Sequence, residues 1–385
     1  MGRVIGNPRV SHIEIACGCI ARRIPPRIRC ILTSSYQSTA DRHFSVCGLL
    51  RANLFFLARS SIGGELVTAS SRARGLPAGF VKQLLHYSGW STGYVKMRKV
   101  SFIVTYHCVR PEECGLFKET AQFLAENFHI VPLDQLVETV ESAAPISKQG
   151  FVALTFDDGL RNHAEVAYPI LRELGIPATF YLCPDLIDRG GSVWTWEIHS
   201  RLKRLGERDQ QQFFKSAGVS GDLQRIIDWM KVIPVDEREE IAKRIRDLTP
   251  DFQFTQYERD CYDLMSWSAV EKLDPEFITI GSHTATHIDL PQAGPDRLER
   301  ELFRSKEILE SRLNRKVQHF AYPNGSFNEA VIPAVRQFYR SAVTTRPGIV
   351  RQGDNPLLLN RIHVDFRLPA FSWDLARAAR REQQP

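Results

Sequence analysis

Apolar positions along the chain fall into short unbroken runs separated by longer amphipathic stretches. Val100–Val109, Phe151–Leu154, Ala178–Cys183, Phe277–Ile280, Val317–Tyr322, Arg340–Thr344 and Arg361–Asp365 read as strands, too short for helices and bounded by turn signals. Between them the spacing predicts helices over Leu116–Asn127, Pro132–Val140, His163–Leu174, Trp267–Leu273, Pro295–Leu313, Glu329–Phe338 and Ser372–Arg381, with a short amphipathic helix at Phe80–Tyr87 ahead of the first strand. Strands that alternate with helices point to a parallel sheet, hence an α/β fold. Residues 185–265 break the rhythm. They are rich in Arg, Asp, Glu and Gln, with helical patterns at Ile198–Arg204, Asp222–Ile233 and Asp236–Leu248. This is read as a helical insertion on the side where the loops of a β/α barrel build a site.

Charge changes the picture at one end only. Residues 1–80 hold eleven Arg, no Lys and three acids (Glu14, Asp41, Glu65), a net +8 against +6 for all 385 residues, which leaves the rest at −2. The basic balance therefore belongs to the leader, and nothing in the main domain calls for a nucleic-acid partner. The apolar stretch 46–58 is interrupted by Arg51 and Asn53 and is too short for a stable membrane insertion. It also lies too deep in the chain for a secretory signal, so a cytoplasmic location is expected. Four of eight cysteines fall in the first 47 residues; Cys108, Cys114, Cys183 and Cys261 are scattered and read as free thiols.

The chemistry gathers at two strand ends. Phe151–Leu154 delivers Thr155-Phe156-Asp157-Asp158-Gly159, two adjacent carboxylates that repel unless a cation or a shared proton offsets them, followed by a glycine that permits a sharp turn. An isolated Asp-Asp-Gly is ordinarily a solvated turn. Here the pair follows a buried strand, and a second cluster follows another: His283-Thr284-Ala285-Thr286-His287 after Phe277–Ile280. Two histidines four apart, read as one face of a helical turn, present two imidazoles to one metal. Trp194 and Trp196 open the insertion and are candidates for sugar stacking, although core packing is the commoner use of tryptophan.

With these residues in hand, residues 80–370 resemble the polysaccharide deacetylase family (the NodB-homology domain, carbohydrate esterase family four). Thr155–Gly159 matches its first motif and His283–His287 its His-Ser/Thr-x-x-His motif. The resemblance implies a distorted (β/α)7 TIM-like barrel and hydrolysis of N-acetyl groups on amino sugars. It implies Asp157 as catalytic base, and Asp158, His283 and His287 as ligands of a divalent metal, Zn2+ above all. The backbone N–H of Asn324, after Pro323, would serve the oxyanion. One departure stands out: the Arg-x-Pro-Tyr/Phe motif reads Ala321-Tyr322-Pro323-Asn324, a Phe-Ala-Tyr-Pro-x-Gly variant found in a bacterial branch, and lacks its arginine. Arg361 is expected to replace it from a neighbouring strand. His363, in Arg361-Ile362-His363, stands where the Leu-x-His general acid belongs, with His107 and His319 in reserve. His107, Tyr322 and Pro323 join the two tryptophans as candidate substrate contacts.

The leading reading is a metal-dependent deacetylase of an N-acetylglucosamine-containing bacterial glycan. The same site could serve a small amide or a lipid-linked sugar, and a catalytically silent glycan-binding barrel is the alternative from another class. Residues 1–80 are read as a poorly ordered or non-native N-terminal extension, with 81–385 as the deacetylase domain. The expected true start lies near Val81 or Met97. Intact mass of the protein from its native source should match one of these starts; a mass that includes residues 1–80 overturns the reading.

Overall fold

The computed structural model describes residues 77–142, 150–216, 218–219 and 222–381, so the proposed extension lies almost wholly outside the described residues. The chain divides after Gly93. In the first unit the structure describes helix Ala78–Tyr87 and the start of helix Trp90–Arg98.

The second unit carries eight parallel strands: β1 (Phe102–Tyr106), β2 (His129–Ile130), β3 (Phe151–Phe156), β4 (Ala178–Leu182), β5 (Ile278–Ser282), β6 (His319–Ala321), β7 (Ser341–Pro347) and β8 (Leu359–His363). Hydrogen bonding runs β1-β3-β4-β5-β6-β7-β8 and back to β1, so seven strands close a (β/α)7 barrel. The two-residue β2 lies beside the start of β3; it makes no apolar run of its own and was not legible in the sequence.

Pleating alternates the strand faces, and here odd and even numbers separate them. Ile103, Phe151, Ala153, Tyr181, Ala321, Val343 and Leu359 form the interior cluster, closed at the N-terminal end by Leu133, Leu136, Val137 and Val140 of helix Leu133–Glu141. Val104, Tyr106, Leu154, Phe156, Phe180, Leu182 and Phe320 belong to the outer cluster with Phe117, Leu124, Leu302, Val335 and Phe371 of the surrounding helices. Both faces are buried, which is why the strands read as continuous apolar runs. The interior is filled by large residues set against small ones: a Cβ on Gly281 would lie 2.4 Å from Tyr181 Cδ1.

The insertion has a core of its own, made by Trp194, Ile198, Leu202, Phe213, Ile226, Met230, Ile241 and Ile245. Two of its helices, Glu207–Ser216 and Gln256–Tyr262, were hidden in the sequence by their polar composition. Cys108 and Cys261, scattered in sequence, are brought within hydrogen-bonding reach of one another; Asn162 beside them binds Val109 N at 3.1 Å and Asp260 O at 2.9 Å. Among the described residues no helix is long and apolar enough to cross a membrane.

His319 is the first residue of β6, at the end of the barrel away from the strand C-termini, so it drops out as a reserve acid. Its Nδ1 meets Ser341 Oγ at 2.8 Å and its Nε2 lies 3.0 Å from Asp134 Oδ1. The hydrogen bond from His319 holds the Asp134 carboxyl below its ordinary range; burial opposes this, and the charges of His319 and Arg340 add to it. A depressed carboxyl stabilises the fold above the ordinary carboxylate range, and this contribution is lost as pH falls through the folded value. Asp134→Asn should therefore lower the melting temperature at neutral pH, with a gap to wild type that narrows as pH falls through and below the ordinary carboxylate range. A pH-independent gap in thermal melts would refute it.

Candidate metal centre

The odd-numbered row of β3 runs Phe151, Ala153, Thr155 and on to Asp157, which therefore emerges inside the C-terminal mouth of the barrel. Asp157 is 2% exposed. From the same inward row of β8, Arg361 sends Nη1 to Asp157 Oδ1 at 2.7 Å and Nη2 to Asp157 Oδ2 at 2.6 Å. The guanidinium is itself fixed by Thr344 O at 2.8 Å and Thr155 Oγ1 at 3.3 Å. Burial alone would raise the Asp157 carboxyl; the Arg361 charge and its paired bonds outweigh burial and bring it to about 2. Such a bidentate pair fixes the plane of the carboxylate as well as its charge.

Asp158 turns away from this pair through a left-handed backbone, φ 73°, and Gly159 follows at φ 65° with its missing Cβ facing Leu182 Cδ2 at 2.8 Å. Asp158 Oδ1 lies 3.5 Å from His283 Nε2 and 3.3 Å from His287 Nε2. The histidines do not share a helical turn as expected. Residues 283–287 are an irregular loop in which Thr284 (φ 63°) and His287 (φ 58°) are left-handed, so both rings converge from a bent backbone. Glu301, from helix Pro295–Leu313, pins the bend through Thr286 N at 2.9 Å and Thr286 Oγ1 at 2.7 Å.

These three residues fit a divalent cation. One ligand atom from each lies within 4.8 Å of the others, and all three are buried. His283 donates Nδ1–H to Ala321 O at 2.7 Å, which leaves the Nε2 lone pair facing Asp158. Among the described residues no Lys or Arg pairs with Asp158; its buried charge faces two imidazoles and an indole N–H. Burial would lower the His283 imidazole, yet the Asp158 carboxylate facing Nε2 and the charge of Asp157 favour its protonated form and raise it.

The other candidates separate clearly. His107 Nε2 stands 3.8 Å from Asp157 Oδ2, and its ring centroid is 5.6 Å from that of His363, which is exposed at the mouth. Burial, then the charges of His107 and Arg361, lower the His363 imidazole. Trp196 reaches the site: Nε1 lies 3.5 Å from Asp158 Oδ2, and its ring stacks on Tyr262 at 4.9 Å. Trp194 does not act as a substrate contact. It is 7% exposed in the core of the insertion, beneath the Arg238 guanidinium at 4.6 Å. Tyr322 is also corrected: it lies on the even, outward row, fully buried against Phe320 and Phe327, with its hydroxyl donated to Leu357 O at 3.0 Å. Pro323 is buried in the turn that follows, and Asn324 (φ 54°) gives its side-chain amide to Asp289 Oδ1 at 2.8 Å.

Sequence reasoning missed Glu301, Asp289, Arg238 and His163. His163 Nε2 meets His107 O at 2.6 Å, and burial brings its imidazole down to about 4, so it stays neutral and donates. None of the four sits in a recognisable motif. The nearest signal was position, since Asp289 follows His287 by two residues.

At its strand ends the closed parallel barrel carries an Asp/His/His cluster that could hold a metal ion and a second, Arg-clamped Asp. The sequence profile of the family described as "Polysaccharide deacetylase" matches residues 145–342, and the chain belongs to that family. It is 30% identical over 88 residues to YxkH of Bacillus subtilis (strain 168), an alignment that covers 23% of this chain and about a third (32%) of that protein's length. Among solved structures it is similar to the Streptococcus pyogenes deacetylase PplD in complex with acetate (21% identity, 74% of this chain and 99% of that one, TM-score 0.49). IcaB from Ammonifex degensii is also similar (18% identity, 73% and 97%, TM-score 0.48).

Zinc titration of the metal-free protein should give one equivalent per chain, and His287→Ala should abolish stoichiometric binding while the protein stays folded by circular dichroism. Undiminished stoichiometric binding in a His283→Ala/His287→Ala double variant would place the metal elsewhere.

Proposed function

We propose that this protein is a metal-dependent hydrolase that removes N-acetyl groups from amino sugars of a bacterial poly- or oligosaccharide, with N-acetylglucosamine units as substrate. One observation carries the reading: a buried carboxylate, Asp157, kept ionised by a bidentate arginine beside a three-donor cluster. Family membership supports the reaction class.

Asp158, His283 and His287 would hold the ion, a donor set that suits Zn2+ as well as other first-row divalent ions, and Zn2+ is the ion proposed. When bound it supplies Lewis-acid polarisation of water and of the acetyl carbonyl. Asp157 accepts the proton that the attacking water gives up. Arg361 keeps the carboxylate ionised and fixes its plane; the basicity this costs would be offset by a water whose own pKa is lowered towards about 7. The backbone N–H of Asn324 is the second donor for the developing oxyanion. His363, exposed at the mouth beside His107, stands where a protonated imidazole would give its proton to the departing amine. His107 walls the site beside Asp157, and Trp196 offers its ring at the rim.

Metal-loaded protein should release acetate from N-acetylglucosamine oligomers. Asp157→Asn should keep its metal and lose activity by about 10³-fold, and Arg361→Lys, which keeps charge but not the fork, by about tenfold or more. Metal-loaded wild type that releases no acetate would move the substrate elsewhere. Full turnover in Asp157→Asn would remove it as the base.

A further inference from the structure

The insertion reaches the barrel mouth through a buried cation. Arg238, on helix Val235–Asp247, is 2% exposed, with its guanidinium over Trp194, one nitrogen 2.6 Å from Glu239 Oε1 and another 3.4 Å from Asp289 Oδ2. Asp289 is 1% exposed and lies two residues beyond His287. Its second oxygen takes the 2.8 Å bond from Asn324 Nδ2. Thus one carboxylate joins three elements far apart in sequence, 51 residues from Arg238 and 35 from Asn324.

The turn it grips has little freedom left. Asn324 is left-handed, and Gly325 after it (φ 68°) has Thr345 Oγ1 where a Cβ would stand, at 2.0 Å. Asparagine tolerates the left-handed region because its short amide can bond locally. Here the amide bonds instead to a buried carboxylate, so side-chain chemistry fixes where the Asn324 peptide points.

We propose that Asp289 is a positioning residue that holds the Asn324 turn in register with the metal ligands, and that Arg238 makes the helical insertion part of that register. The proposal rests on the deacetylase reading. A clamp of this kind acts on the geometry of the transition state, so its loss should lower kcat and leave KM and metal content in place.

A side-chain exchange tests it. Asn324→Asp sets two carboxylates against each other; with one metal bound per chain, kcat for acetate release should fall by about tenfold or more and KM should change by less than about twofold. Adding Asp289→Asn restores an amide–carboxylate bond with its ends exchanged, and kcat should return to within about threefold of wild type. Arg238→Met should lower kcat by a smaller factor at unchanged KM. A double variant no better than Asn324→Asp, or a loss that falls on KM alone, overturns the proposal. Cobalt-substituted protein separates this from failure of the deacetylase reading. If wild type releases no acetate, a visible-band shift in Asn324→Asp that reverses in the double variant still supports the clamp. The same band in all three proteins overturns it.

Discussion

Two adjacent carboxylates buried at the end of β3 set the terms for the rest of the site. At an effective dielectric near 20, like charges a few ångströms apart repel by about 3–4 kcal/mol. Asp157 and Asp158 are 2% and 3% exposed, so water does not screen them. The protein answers in two different ways. Asp157 receives a full positive charge from Arg361, while Asp158 is swung aside by its left-handed backbone towards two imidazoles. The first answer depends on barrel closure. Arg361 is 204 residues from Asp157 and reaches it because β8 hydrogen-bonds to β1 and β1 to β3. The charge balance of the site and the closure of the barrel are one constraint.

That constraint also explains where side chains go. Inward rows supply Thr155, Asp157, Arg361 and His363, and outward rows supply Phe156, Tyr322 and Ile362 to the helix layer. A one-residue slip in any strand would exchange these sets. Tyr322 was a reasonable substrate contact when only its place beside Pro323 was known. Its even position puts the ring against Phe320 and Phe327, where a buried Tyr needs a partner for its hydroxyl and finds one in Leu357 O.

Seven strands were legible because parallel strands buried on both faces stand out as apolar runs, and the Asp-Asp and His-x-x-x-His clusters were legible because adjacent carboxylates and paired imidazoles are rare without a task. The missing motif arginine even drew attention to Arg361. What the sequence hid was geometry that follows from long-range packing. Nothing local marks residues 283–287 as a left-handed loop rather than a helical turn, since Glu301 is what holds the bend. Trp194 and Trp196 look equivalent in sequence, but two steps along a helix turn a side chain by about 200°. One therefore packs under Arg238 and the other meets Asp158. Arg238, Asp289 and His163 are single polar residues whose partners lie tens of residues away.

The concentration of buried charge at one end of the barrel bears on whether the site is active or only a relic that binds glycan. Asp157, Asp158, Arg361, Asp289, Arg238 and Glu301 are all less than a tenth exposed. Removing an ion from water costs several kcal/mol, and well-packed apolar residues in place of a buried pair are often neutral or stabilising. Stability therefore gives no reason to keep six such groups together, when the N-terminal half of the same barrel is filled with Ile103, Phe151, Ala153 and Leu359. A sugar-binding surface gives no reason either, since hydroxyls are met by exposed polar groups and aromatic faces rather than by ions sealed beneath them. A carboxylate held ionised and fixed in plane beside a three-donor cluster is what proton transfer at a polarised water requires. The insertion, tied in by Arg238, belongs to that arrangement.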